Sequence, residues 1–405
     1  MGIEVGPVAQ EQVRDFIAVQ SHAFGFDATD EQMERFQRVF EFDRARAAYD
    51  GTRMVGTVGS FSLEMTVPGN TMRCGGTTVV AVLPSHRRRG ILRQMIDSHL
   101  DDVRDHEEPI AGLWASDSAI YGRFGYGCAA LGADITIERD HAEFHRLAPA
   151  QAPVRLVDAD EAHRILPPFY DTARLDYPGF LARSEVWWQS RRFRDDPSSR
   201  DGATAYRYAV AEENGAVTGF VQYRFHTKWA DGHGKGTVKI SELVGTTPES
   251  WAGLWSYILN HDLTSKIEAE VRPLSDPVFN LMAGIRRARG EVGDTLWIRI
   301  MDVPRALEGR HYSTAATPVI RVHDPLDAST TTWQLDLAPD GAQVTPSQAE
   351  AQVEMDIEDL SACFMGWSRF QDLARTGRVQ GNTQALRSLD AAFAWSPLPW
   401  CPEVF

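Results

Sequence analysis

The strongest constraint in this chain is a local pattern that occurs twice. "RAAYDGTRMVGTVGSFSLEM", Arg46 to Met65, reads as alternating strands on either side of Asp50-Gly51. "YRYAVAEENGAVTGFVQYRF", Tyr206 to Phe225, does the same around Asn214-Gly215. Alternation with a period of two marks strands, and Asp-Gly or Asn-Gly supplies the positive φ angles of a tight hairpin. Each hairpin is followed by another strand and then a helix. These are "TTVVAVLP" and "HRRRGILRQMIDSHLDDV" in the first copy, "TVKISELVG" and "TPESWAGLWSYILNHDL" in the second. The matching order and spacing predict a duplicated α/β (α+β) fold.

Two proline-marked joints divide the 405 residues, a length that calls for more than one core. "LAPAQAPV", Leu147 to Val154, has the composition of a linker, and Pro304 closes the strand-like "LWIRIMDVP". The predicted segments are 1–147, 152–303 and 304–405. The third alternates in "TTWQLDLAP", turns at Asp340-Gly341 and continues into short helices, as a small α+β domain would. Its ending, "SPLPWCPEVF", holds three prolines and cannot be regular helix or central strand. A tail this apolar is expected to pack inward.

The formal net charge is -15, from 56 acidic and 41 basic residues, which argues against nucleic acid or an anionic membrane as the main partner. It suits a cationic ligand or simply a soluble surface. No apolar run spans a bilayer and the N-terminus lacks the regions of a signal peptide, so the cytoplasm is the expected compartment. Cys74, Cys128, Cys363 and Cys401 are scattered, with neither a disulfide framework nor a zinc pattern. His141 and His145 stand at i and i+4 without a third ligand, so no metal is expected.

Against this acidic background "HRRRGILRQM", His86 to Met95, concentrates four arginines where a helix begins after "VVAVLP". A helix N-terminus already carries partial positive charge from its free N–H groups and prefers acids. Arg87, Arg88, Arg89 and Arg93 would repel that end unless an anion sat there. With Gly90 allowing close approach, the group reads as a pyrophosphate cradle; the alternative is a solvated basic turn. The second helix starts with Thr247, Pro248 and Glu249, an ordinary cap without arginines.

"RRRGIL" resembles the Q/R-x-x-G-x-G/A motif of the GNAT superfamily of N-acetyltransferases, with Leu92 where a small residue usually stands. Together with "VAVLPSHRRRGILRQM", "IYGRFGYG", the duplication and the final phenylalanine, the chain resembles the Eis ("enhanced intracellular survival") family of acetyltransferases over its whole length. The resemblance implies two tandem GNAT-like domains, the second degenerate, and a sterol-carrier-like C-terminal domain. It implies acetyl-CoA as co-substrate, held by the backbone of Val80, Ala81 and Val82 and by Arg87, Arg88, Arg89, Gly90, Ile91, Leu92 and Arg93, with Tyr121 and Gly122 beside it. Tyr126 of the "FGYG" string would be the general acid and the terminal carboxylate of Phe405 the base; Glu403 is a rival base and a candidate contact for a cationic substrate. Read by themselves, these aromatics and glycines are also compatible with core packing and a tight turn.

The resemblance further implies a homo-oligomer, hexameric in the family. "SHAFGFDATDEQMERF", Ser21 to Phe36, reads as helix, loop and helix, and sets Phe24 and Phe26 beside Asp27, Asp30 and Glu31. Aromatics next to acids suit a polycationic amine, an aminoglycoside or polyamine, through charge and cation–π contact. A solvated helix pair fits the same residues. Acetylation of lysine side chains or peptides, or a non-catalytic protein that binds CoA or lipid, are the competing functions.

Overall fold

The computed structural model describes residues 2–140 and 142–405; His141 lies outside the described residues. Two compact units are present. One comprises the residues up to Ala130 with Asp294–Pro399 and Glu403–Phe405, the other Leu131–Gly293 with Trp400–Pro402.

The first unit is built on β1 (Ile3–Pro7), α1 (Val13–Phe24), α2 (Asp30–Val39), β2 (Arg46–Asp50), β3 (Arg53–Val67), β4 (Asn70–Val82), α3 (Ile91–Asp105), β5 (Ile110–Trp114) and β6 (Gly127–Cys128). β2 and β3 meet at the predicted turn, where Gly51 has φ 64°. The next turn, with Gly69 at φ 72°, starts β4 earlier than the apolar run suggests, so β3 and β4 form a long hairpin. β3 is buried without a break from Met54 to Phe61, which requires cover on both faces of the sheet. α1 and α3 pack on it. α3 faces inward through Met95, Ile96, His99, Leu100 and Val103, and its N-cap is Gly90.

The sheets exchange strands relative to the linear segments 1–147 and 152–303. The strand Leu296–Ile300 enters the first sheet between β5 and β6, antiparallel to both. β7 (Leu131–Glu138) joins the second sheet, antiparallel to Thr264–Pro273. The changeovers therefore fall at Ala130 and Asp294, while the proline-rich linker joins two strands of one sheet. That second sheet repeats the predicted order: hairpin Arg207–Glu213 and Ala216–His226 around Asn214-Gly215, strand Gly236–Gly245, then helix Pro248–Leu259 capped by Thr247.

The C-terminal segment adds to the first unit a sheet ordered Gly341–Pro346, Ser329–Ala338, Val319–Asp324, Val353–Asp356 and Gln380–Gly381. Its helix Ile357–Cys363 packs on β6 and on Leu296–Ile300. A Cβ at Gly127 would lie 2.1 Å from the Glu358 carbonyl oxygen, so only glycine admits that helix. Arg299, 1% exposed, donates through Nη1 to the Phe124 carbonyl at 2.7 Å and through Nη2 to Asp324 Oδ2 at 2.5 Å. It thereby fixes the "FGYG" turn to the C-terminal sheet. Gly125 in that turn has φ 79°, and an added Cβ would stand 1.8 Å from Arg299 Nη1. Gly125→Ala is therefore expected to lower stability by about 2–4 kcal/mol, read as a fall in the denaturation midpoint.

Candidate active site

β4 carries a bulge where it matters. Thr57 pairs with Ala81 and Gly59 with Thr78, so two residues, Val79 and Val80, face Val58 alone. Val79 takes φ 50°, a left-handed conformation that costs a β-branched residue energy, and Thr57 Oγ1 donates to its carbonyl at 2.8 Å. On the other side β4 pairs in parallel with β5 only from Cys74 to Gly76, although both strands run on. Beyond Gly76 they part, and the backbone of Val80, Ala81 and Val82 lines a cavity of about 660 Å³.

The start of α3 lines the same cavity through Gly90, Ile91, Leu92 and Arg93, preceded by Arg87 and Arg88. Arg88 and Gly90 are left-handed, at φ 63° and 75°, and no side chain caps the helix. Left-handed residues alternating with others aim successive N–H groups into one concavity, an anion-binding arrangement. A Cβ at Gly90 would meet nothing within 4 Å, so backbone conformation rather than crowding calls for glycine. Among the described residues Arg87 and Arg88 form no ion pair, while Arg89 lies 3.5 Å from Asp50, and Arg93 reaches Asp97 at 3.7 Å and the Leu326 carbonyl at 3.2 Å. The electrostatic cost of setting these cations at a helix start is offset when an anion binds there.

The far wall is Ser116, Asp117, Ile120, Tyr121, Arg123 and Phe124, and Ala23 and Phe24 line it from the end of α1. Tyr121 is buried, which pushes its phenol up to about 12. Tyr126 is 0% exposed and does not line the cavity; its ring meets that of Tyr121 edge-on at 6.0 Å. Burial raises its phenol well above 10, with the Thr77 hydrogen bond acting in the opposite direction. Tyr126 Oη lies 2.8 Å from Thr77 Oγ1, which lies 2.7 Å from His99 Nε2, and His99 Nδ1 lies 2.8 Å from Ser60 Oγ. Burial, with Arg44 and Arg46 nearby, pushes His99 down to about 3. Cys128, raised to about 12 by burial, is a thiol at neutral pH.

The structure thus brings together Val80, Ala81, Val82, Arg87, Arg88, Gly90, Ile91, Leu92, Arg93, Tyr121 and Phe24 around one cavity. Arg89, Gly122, Phe26 and Asp27 do not line it, and Phe26 and Asp27 are exposed. Glu403 and Phe405 are buried, 2% and 8% exposed, in the same compact unit but outside the lining. Sequence reasoning missed Thr77, His99, Ser60 and Arg299. The available signal was His99 itself, a polar residue on the apolar stripe of α3 between Met95 and Val103. Among the described residues no group of three or more His, Cys, Asp or Glu is placed to hold a metal, and no helix is long and apolar enough to cross a membrane.

The second sheet has the same bulge and parting, closed from within. Gln222 pairs with Glu242 and Tyr223 with Ile240, leaving Ser241 extra, and parallel pairing with Thr264–Pro273 ends at Ile240. There Arg272 donates to the Leu243 carbonyl at 2.8 Å, pairs with Asp276 at 2.7 Å and lies 4.6 Å from the Trp400 ring. Arg183 pairs with Glu242 at 2.7 Å. Thr247 and Ser250 cap the helix reciprocally. Backbone groups that face a cavity in the first copy are satisfied by side chains in the second.

Residues 4–129 and 179–300 each match the acetyltransferase (GNAT) domain, and residues 303–402 match the sterol carrier protein domain. An uncharacterized N-acetyltransferase of Streptomyces coelicolor is 34% identical, covering 93% of this chain and 92% of its own. N-acetyltransferase Eis of Mycobacterium tuberculosis is 33% identical over 85% of this chain and 84% of its own. Among solved structures, Eis1 from Mycobacterium abscessus superposes with a TM-score of 0.85 at 27% identity, covering 100% of both chains. A GCN5-related N-acetyltransferase from Anabaena variabilis shares the fold with a TM-score of 0.83 at 18% identity, again over 100% of both. With two GNAT domains followed by a sterol-carrier-like domain, and with Eis at one third identity over most of its length, the chain belongs to the Eis family of GNAT N-acetyltransferases.

Proposed function

We propose that the cavity at the start of α3 takes acetyl-CoA, and that the protein transfers the acetyl group directly to a primary amine of a polycationic small molecule of aminoglycoside or polyamine type. The observation that carries this reading is the parting of β4 from β5 beyond Gly76, beside an uncapped helix start preceded by Arg87 and Arg88, which form no ion pair among the described residues. Arg87, Arg88, Arg89 and Arg93, with the N–H groups of Gly90, Ile91 and Leu92, would hold the pyrophosphate. The backbone of Val80, Ala81 and Val82 would offer a hydrogen bond to the acetyl oxygen, and Tyr121 and Gly122 would flank it. When bound, acetyl-CoA supplies the acetyl group as a thioester.

Tyr126 gives its hydroxyl proton to the departing sulfur: its O–H bond breaks and an S–H bond forms. A phenol held well above 10 is a reluctant acid, but the same burial strengthens a thiolate as a proton acceptor, as the shift at Cys128 to about 12 illustrates. The α-carboxylate of Phe405 takes the proton from the incoming amine, with Glu403 as the competing base. Withdrawal from water strengthens a carboxylate as a base, and Phe405 is only 8% exposed. A net charge of -15 and the exposed Asp27, Asp30 and Glu31 near Phe24 and Phe26 support a cationic substrate. A homo-oligomer, hexameric by family resemblance, completes the proposal.

In a thiol-release assay, CoA is expected to appear only when a polyamine or aminoglycoside is added; acetyl-CoA binding with no amine-dependent release would overturn the enzymatic reading. Tyr126→Phe is expected to lower kcat by about 10²–10⁴ with little change in KM. Because the acid must be protonated, rate should fall as pH rises through the phenol pKa. Burial places that fall above pH 10, so the acid should cause no alkaline loss below it. Removing Phe405 should cost a similar factor in kcat, whereas a full rate would transfer the role of base to Glu403.

A further inference from the structure

The hydrogen-bonded file Ser60–His99–Thr77–Tyr126 has its ends at a sealed core and at the proposed acid. All four members are buried, at 0%, 1%, 2% and 0% exposure. It contains three contacts. Neutral His99 donates from one nitrogen and accepts at the other, and each hydroxyl carries one hydrogen. Four hydrogens thus serve three contacts, leaving one over.

Two arrangements place the remaining hydrogen at an end. In one, Ser60 donates to Nδ1, Nε2–H donates to Thr77, Thr77 donates to Tyr126, and the phenol hydrogen is left over. In the other every bond is reversed, and the hydrogen is left over at Ser60, which is wholly buried and has no second hydrogen-bond acceptor among the described residues. Letting Tyr126 and Nε2–H both donate to Thr77 would strand the Thr77 hydrogen, again without an acceptor among the described residues. An unpaired buried donor is costly, so a sulfur acceptor at Tyr126 favours the first arrangement.

We propose that Thr77 and His99 are positioning residues that orient the Tyr126 hydroxyl, the Nε2–H tautomer of His99 leaving the phenol hydrogen free for the departing sulfur. The inference rests on Tyr126 being the acid. When Tyr126 has given up its proton, the Thr77 hydroxyl already donates to the phenolate oxygen and stabilises it until solvent returns a proton. Neither Thr77 nor His99 lines the cavity, so their contribution should appear in kcat rather than in cofactor affinity.

Thr77→Val, close to isosteric, should lower kcat about tenfold with acetyl-CoA affinity nearly unchanged and with a lower thermal midpoint, because the buried His99 Nε2–H loses its acceptor, and Thr77→Ser should restore both. On a Tyr126→Phe background Thr77→Val should add nothing. A full rate in Thr77→Val while Tyr126→Phe is impaired, or independent additive losses, would overturn the inference alone. A full rate in Tyr126→Phe would overturn the assignment of the acid and the inference with it. A second readout needs no turnover: ¹⁵N-histidine spectra of the protein saturated with CoA, with the His99 signal assigned by its loss in His99→Gln. The Nε2–H tautomer is expected; Nδ1–H would overturn the proposal.

Discussion

Everything at the site depends on one strand losing its neighbour. β4 is paired to β5 only through Gly76, and the bulge at Val79–Val80 turns its continuation away. A buried strand without a partner leaves polar backbone groups unsatisfied, which a soluble fold tolerates where water or a ligand replaces the partner. The left-handed Val79 is the local cost of that geometry, held by the Thr57 hydroxyl. The uncapped start of α3 faces the same cavity, so two elements present backbone groups to one space.

The second copy shows the same strand geometry closed by its own side chains. It keeps the bulge and the parting, yet Arg272 occupies the gap, Arg183 pairs with Glu242 and a capping box closes the helix. Removing either partner of a buried ion pair costs about 3–5 kcal/mol, so this filled version is a structural element with its own constraints. The arginines of the first copy, by contrast, lie on the surface and stabilise no core.

Much of this was legible in the sequence because it depends on neighbours in the chain. Asp50-Gly51 and Asn214-Gly215 marked their hairpins, and "HRRRGILRQMIDSHLDDV" after the strand run placed α3. The exchange of β7 with Leu296–Ile300 was not legible, because alternation marks a strand without saying which sheet it joins. Val79 could not be read either: a β-branched residue in a strand-like run gives no sign of a positive φ. Arg299 and His99 act across 175 and 22 residues, reaching Phe124 and Thr77, and only the folded topology supplies those distances.

The central claim is that a single cavity, in the first copy, binds the co-substrate. Calorimetric titration of acetyl-CoA tests it directly, alongside Arg88→Glu. The account predicts one molecule bound per chain and an affinity at least about tenfold weaker in the variant, since a cation facing the pyrophosphate becomes an anion. Two molecules per chain, or one bound equally well by both proteins, would contradict it.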